Sequence, residues 1–255
     1  PTGTADPFAL RRQCLGVIAI LLGKEYHISL QKMIEAAVGG VQDKVGAALL
    51  YKARRKEKKR AARKKEKPRQ IDEVPSFESK LTEDLKTFFA GRLRQRMAED
   101  TGARPDVIDA VLGAGYDDIV DAWARVVALA AFMGEEAFED LAVAFKRVAN
   151  IIKDFEGAEL NKELFEHEEE KLLQEVFESV APRCEKLLDA REFDAGLRLL
   201  AEELRKPVDR FFDAVLVNDP DDPGRQANRK AMLAGIERLF GRFADFTRLQ
   251  VKGMK

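Results

Sequence analysis

Apolar residues recur at three- and four-residue intervals along almost the whole chain, and no stretch alternates with the period of two expected of a half-buried strand. Asp6-Pro7 pairs a good N-cap with proline at the first helical position. It predicts a helix through about Leu22, with Phe8, Leu15, Ile18 and Leu22 facing inward. Ser29 is placed to cap a second helix, from about Leu30 to Lys52, that meets no clear stop before a basic tract. Pro68 to Pro75 interrupts the pattern, and a boundary is expected there. From Phe77 a stripe of Leu81, Leu85, Phe88 and Phe89 leads to Leu93 and Met97. Pro105 starts a shorter helix carrying Val107, Ile108, Val111 and Leu112. Gly113 and Gly115 end it, and Asp117 or Asp118 can cap the next, Ile119 to Phe132.

The clearest pattern lies between Glu135 and Phe155, where Phe138, Leu141, Phe145, Val148, Ile152 and Phe155 form a single core-facing seam. Further helices are predicted over about Lys162–Ala181, Pro182–Ala190, Phe193–Leu204, Pro207–Val217 and Gln226–Leu249. The loop from Asn218 to Gly224, with two prolines and three aspartates, separates the last two. No segment repeats at a fixed period. The expected fold is all-α, a helical bundle with a small N-terminal helical unit attached.

Composition narrows the class. With 255 residues, 45% hydrophobic and 35% charged, the chain can bury a real core and is read as soluble. No apolar run approaches the roughly 18 residues needed to span a bilayer. The chain starts at Pro1, without Met or the order of features that marks a secretory leader, and is expected to be part of a longer chain. Cys14 and Cys184 share no metal or redox spacing and are expected to be buried free thiols in a reducing compartment. Charge is unevenly distributed. Twelve basic residues against Glu57 and Glu66 give Lys52–Arg69 a charge of +10, leaving −11 on the rest of a chain whose net is −1. The tract, with Ala53, Ala61 and Ala62 as its apolar residues, has no face to bury and is expected to be a projecting helix or disordered. Phosphate contact must therefore come from local patches on an acidic body.

Candidate chemistry is sparse. The sequence holds no phosphate-binding glycine loop, dinucleotide fingerprint or nucleophile elbow. His27 and His167 are far apart, and Glu163, Glu166, His167 and Glu170 read as a solvated helix face rather than a metal set. Asp117-Asp118 and Asp221-Asp222 occupy cap and turn positions, and Trp123 reads as core packing. Neither catalytic nor metal-binding residues are expected. What remains is basic: Arg92, Arg94 and Arg96 on one helix, and Lys146, Asn150 and Lys153 on a stripe opposite the Phe138–Ile152 seam, with Arg147 beside it. Cations at these intervals can follow successive phosphates, and an Asn can meet a base edge or 2′-OH; the same spacing also suits a solvated helix face.

Ordered blocks then point to a family. Residues 1–12, Pro-Thr-Gly-Thr-Ala-Asp-Pro-Phe-Ala-Leu-Arg-Arg, resemble the segment closing the HD-like domain of the bacterial glycyl-tRNA synthetase β subunit. Phe89 with Arg92-Leu93-Arg94, followed by Val107–Leu112, resembles the start of its DALR-type anticodon-binding domain. Asp121–Arg125, reading Asp-Ala-Trp-Ala-Arg, departs from the literal four-residue DALR signature. Phe145-Lys146-Arg147-Val148-Ala149-Asn150-Ile151 is the most specific block, and Pro207–Val215 and Asn228–Phe246 are similar to the family's C-terminal helices. The resemblance implies three parts: 1–52 closing the HD-like domain, 53–76 a basic insertion or linker outside the family pattern, and 77–255 the anticodon-binding bundle. It also implies a cytoplasmic, two-subunit ligase that joins glycine to tRNA(Gly), with ATP and Mg²⁺ at a centre in the α subunit. This chain would bind the anticodon arm and hold no catalytic site. Arg92, Arg94, Lys146, Arg147 and Asn150 match the family's motif positions, and charge and face suggest that they, with Arg96 and Lys153, touch RNA. A different class of role, a helical docking module for a partner subunit, fits the same residues if Lys146, Arg147 and Asn150 fix their helix to its neighbours.

Overall fold

The computed structural model describes residues 9–70 and 77–251. Helices α1 (Leu10–Gly23), α2 (Leu30–Lys64), α3 (Phe77–Thr101), α4 (Pro105–Ala114), α5 (Ile119–Phe132) and α6 (Ala137–Ile151) are followed by α7 (Glu168–Asp189), α8 (Phe193–Leu199), α9 (Arg205–Ala214) and α10 (Pro223–Phe240). Among the described residues there is no strand, only an isolated bridge between Ser29 and Asp118. The all-α expectation is met. No described helix is long and apolar enough to cross a membrane. The chain divides into two compact units, one of residues 1–93 with 117–119 and one of residues 94–116 with 120–255.

In the first unit, α1 buries Cys14, Ile18 and Leu21, while Leu15 and Leu22 are only half-buried. The inward stripe therefore runs one position away from the predicted one, although Ile18 belongs to both. Asp6, Pro7 and Phe8 lie outside the described residues. Ser29 caps α2 as expected, its hydroxyl accepting the Lys32 N–H at 3.1 Å. Among the residues whose burial is described, Leu30, Ile34 and Val38 are buried in its first half. A second cap comes from far along the chain: the Asp117 carboxylate accepts the Gln31 N–H at 2.7 Å, and its carbonyl accepts the Leu30 N–H. Asp118 bonds the His27 ring at 2.7 Å. Asp117 thus serves the start of α2, satisfying N–H groups that the first helical turn leaves unpaired, while Asp118 holds the side chain of His27 just before it.

The second unit is built on α6, whose Phe138, Leu141, Phe145 and Val148 are buried as the seam predicts. Its first turn carries Glu139 and Asp140, which suit the positive end of the helix dipole. The helix stops at Ile151, so Ile152 and Phe155 follow it in a turn and are half-buried. Phe145 stacks on Phe240 with centroids 4.2 Å apart and meets the edge of Phe246 at 5.4 Å. The helix α6 packs on α9 and α10, and α7 packs on α8, α9 and α10.

Other boundaries differ from the predicted ones as well: the helix expected from Lys162 is a 3-10 turn at Lys162–Leu164, with α7 starting only at Glu168. Pro182 does not divide two helices but lies inside α7. A proline deprives a helix of one hydrogen bond, and buried Val180, Cys184 and Leu188 hold the axis on both sides of it. Residues 193–214 likewise form one run, joined by a π turn at Leu200–Leu204. That wider turn lies just before Pro207, whose missing N–H would leave a gap in a regular ladder. Finally α10 begins at Pro223, capped by Asp222 accepting the Arg225 N–H at 2.9 Å, and ends at Phe240 rather than Leu249. A short 3-10 turn at Phe246–Arg248 then packs against α4 and α6.

Candidate nucleic-acid interface

The predicted basic residues meet different surroundings. Arg92 on α3 is half-buried, its guanidinium 5.2 Å from the Phe88 ring centroid. Arg94 makes a two-pronged pair with Asp109 on α4, at 2.6 and 2.8 Å, and Arg96 pairs with Asp100 one turn along at 2.6 Å. The Arg94 guanidinium, bonded to Asp109, holds that carboxyl below its ordinary range against the opposing effect of burial. Both pairs lie at the surface, their side chains 39–45% exposed, where such contacts add on the order of 0–1 kcal/mol.

Along α6 and the turn beyond it, the stripe residues meet different surroundings. Lys146 is half-buried and donates to the Leu249 carbonyl at 3.2 Å. Arg147 lies over the Phe212 ring, 4.2 Å from its centroid, and its Nη2 reaches the Phe212 carbonyl at 3.5 Å. These two residues join α6 to the C-terminal segment and to α9. Asn150 is exposed at the end of the helix, and Lys153 is exposed in the turn beyond it. Lys153 edges an open depression that also holds Glu156, Glu237, Arg238 and Asp245.

The basic tract is helical through Lys64, as the continuation of α2. It is not wholly solvated, because Ala61 is buried. The left-handed Lys65 ends the helix, with the Glu66 N–H returning to the Ala61 carbonyl. Arg60 grips Glu57 with two bonds of 2.8 Å, and Glu57 also accepts the Arg69 N–H at 3.1 Å. Bonding to Arg60 and then to the Arg69 N–H brings the Glu57 carboxyl down to about 2.

Two polar clusters were not legible as such. Arg125, on α5, is buried and joins Asp121 to the carbonyls of Gly115 and Phe243. Glu170, placed on a solvated face by its spacing, is fully buried: its carboxylate receives the Glu166 and His167 N–H groups and pairs with Arg229. The partner lies 59 residues away, so no local spacing signals it. Trp123 is half-buried rather than in the core.

Catalytic geometry is not assembled from these groups. Among the described residues no three His, Cys, Asp or Glu side chains converge to hold a metal ion. Both cysteines are buried and unbridged. Burial pushes the Cys14 thiol up to about 11 and that of Cys184 to about 12, the reverse of an activated nucleophile.

Comparison with known proteins bears on the whole chain. Residues 1–113 match the family model described as glycyl-tRNA synthetase beta subunit. The chain is 38% identical over 250 residues to a glycine–tRNA ligase beta subunit of Geobacter metallireducens, which covers 98% of this chain and 32% of that protein. It is 35% identical to the beta subunits of Syntrophus aciditrophicus (98% of this chain, 31% of that protein) and Myxococcus xanthus (99% and 32%). The chain spans about a third of the length of the curated relatives it matches.

Proposed function

The chain belongs to the glycyl-tRNA synthetase beta subunit family, and from that premise we propose that it is the tRNA-binding part of a glycine–tRNA ligase β subunit. In this reading it holds the anticodon arm of tRNA(Gly) in the cytoplasm, and glycine is joined to the tRNA at a centre in a partner α subunit. ATP and Mg²⁺ act at that partner centre, where they activate glycine. The similarity along 98% of the chain carries the reading. The exposed polar and basic groups support it: Asn150 and Lys153 stand free of the α6 core, while Arg94 and Arg96 can exchange a surface carboxylate for a phosphate. Lys146 and Arg147 hold α6 in place so that this edge is presented to RNA. Arg92, next to the Phe88 ring and one turn before Arg96 on α3, adds a further cation there.

The test uses the full β subunit with its α partner. Asn150→Ala with Lys153→Ala raises the KM for tRNA by about tenfold, as loss of charge-assisted contacts would. Glycine-dependent pyrophosphate exchange, which needs no tRNA, stays unchanged. A docking role for the chain is the second reading, favoured by an apolar cleft of about 360 Å³ in the first unit, between Leu10, Val17, Leu81, Leu85, Phe88 and Phe89. If exchange falls in step with charging when Leu85 or Phe89 is replaced by Asp, while tRNA affinity holds, docking is the chain's main role.

A further inference from the structure

The turn after α2 makes a feature that the family resemblance does not supply. Residues 65–70 fold back toward the end of the basic helix and close a cleft of about 620 Å³ lined by Tyr51, Arg54, Arg55, Lys58, Arg69 and Gln70, with Pro68 at its turn. That volume lies within the roughly 300–1,000 Å³ of small-ligand sites. Among the described residues that line it there is no carboxylate. The tract's two acidic residues are both used on Arg60: Glu57 by two short bonds and Glu66 at 3.5 Å. Glu57 also accepts the Arg69 N–H, which pins Arg69 beside the helix. Those bonds bring the Glu57 carboxyl down to about 2, so at physiological pH it acts only as an acceptor. Tyr51, meanwhile, is 67% exposed at the cleft, an aromatic face that the fold does not bury.

We propose that this cleft binds single-stranded RNA, one unstacked base lying on Tyr51 and the flanking phosphates on Arg55, Lys58 and Arg69. A concave cationic wall with one exposed ring suits a splayed nucleotide, since a ring can stack on any base and the cations follow the backbone. A duplex keeps its bases stacked inside and cannot offer one to the ring. An anionic membrane needs no aromatic cleft, only a basic surface. The proposal rests on the tRNA-binding reading for its choice of RNA, but the site uses none of the residues on α3 or α6.

The test measures anisotropy of a fluorescent oligouridylate, a duplex RNA of equal length and phosphatidylserine vesicles with the full chain. Oligouridylate binds more tightly than the duplex. Tyr51→Ala weakens it roughly tenfold, the loss of one base–aromatic stack, and Tyr51→Phe restores it. Arg55→Glu with Lys58→Glu abolishes it, and helix content is unchanged in every variant. The proposal is overturned if Tyr51→Ala binds as well as the parent, if duplex and single strand bind alike, or if vesicles compete out the RNA. Loss of oligouridylate binding in Tyr51→Ala, when the chain shows no affinity for tRNA, would sustain the cleft and sink the anticodon-arm reading. Intact tRNA binding that depends on Lys153, beside an inert cleft, would do the reverse.

Discussion

Arg229 and Glu170 form an ion pair in the interior of the second unit, Nε to Oε1 at 3.0 Å, with side-chain exposures of 3% and 1%. Arg229 also donates to the Leu216 carbonyl at 3.0 Å, while the other carboxylate oxygen of Glu170 takes the Glu166 and His167 N–H groups at 2.8 Å. The pair ties α10 to the start of α7 and to the loop before α10. Breaking a buried pair from one side leaves an uncompensated charge, a cost of about 3–5 kcal/mol. Arg229→Ala should therefore lower the urea midpoint sharply, and Arg229→Met with Glu170→Gln should recover most of the loss. Equal destabilisation by the single and double changes would mean that packing, not charge, governs the site.

The thiols offer an independent check on the core. With burial pushing them up to about 11 and about 12, Cys14 and Cys184 are protonated at neutral pH and shielded from reagents. Neither should react with a thiol-specific disulfide in the native protein, and both should react in denaturant. Fast labelling of Cys184 under native conditions would show that α7 opens locally.

The Arg94–Asp109 pair predicts a pH signature. Bonding to Arg94 lowers the Asp109 carboxyl below its ordinary value of 3.8. Its contribution to stability is then fully present above that value and is lost as pH falls through the lower, folded value. A carbon-detected titration should place its midpoint below 3.8, and Arg94→Gln should move it upward. An unshifted midpoint in the parent protein would show that the pair does not persist in solution. The same measurement repeated with saturating tRNA reports whether phosphate takes Arg94 away, because Asp109 would then titrate nearer its ordinary value.

The helical periodicity was legible because apolar spacing is a local signal. Phe138, Leu141, Phe145 and Val148 could be assigned to one face without knowing what they pack on, and the structure buries all four. Prolines misled where buried neighbours outweighed one missing hydrogen bond, at Pro182 and again at Pro207, where a π turn precedes it. Long-range polar contacts were invisible for a different reason. Of Asp117 and Asp118, the two expected caps of α5, Asp117 serves Gln31, 86 residues earlier, and Glu170 looked solvated although its cation sits on α10. In the basic tract, charge was plain from composition. The fold-back that gathers Tyr51 and Arg69 into a cleft depends on Glu57 being held by Arg60, a contact that spacing permits but does not require.

A salt titration of tRNA(Gly) binding by the chain decides whether its cations meet phosphates. If its basic faces meet phosphates, log K falls linearly with log salt, by about 0.7–0.9 for each phosphate neutralised. Four or so contacts on the α6 edge and α3 contribute a slope of about −3, to which any RNA held in the Tyr51 cleft adds, and removal of Lys153 reduces it by about one. Binding that is absent, or that holds steady across the salt range, would contradict direct recognition of tRNA by this chain.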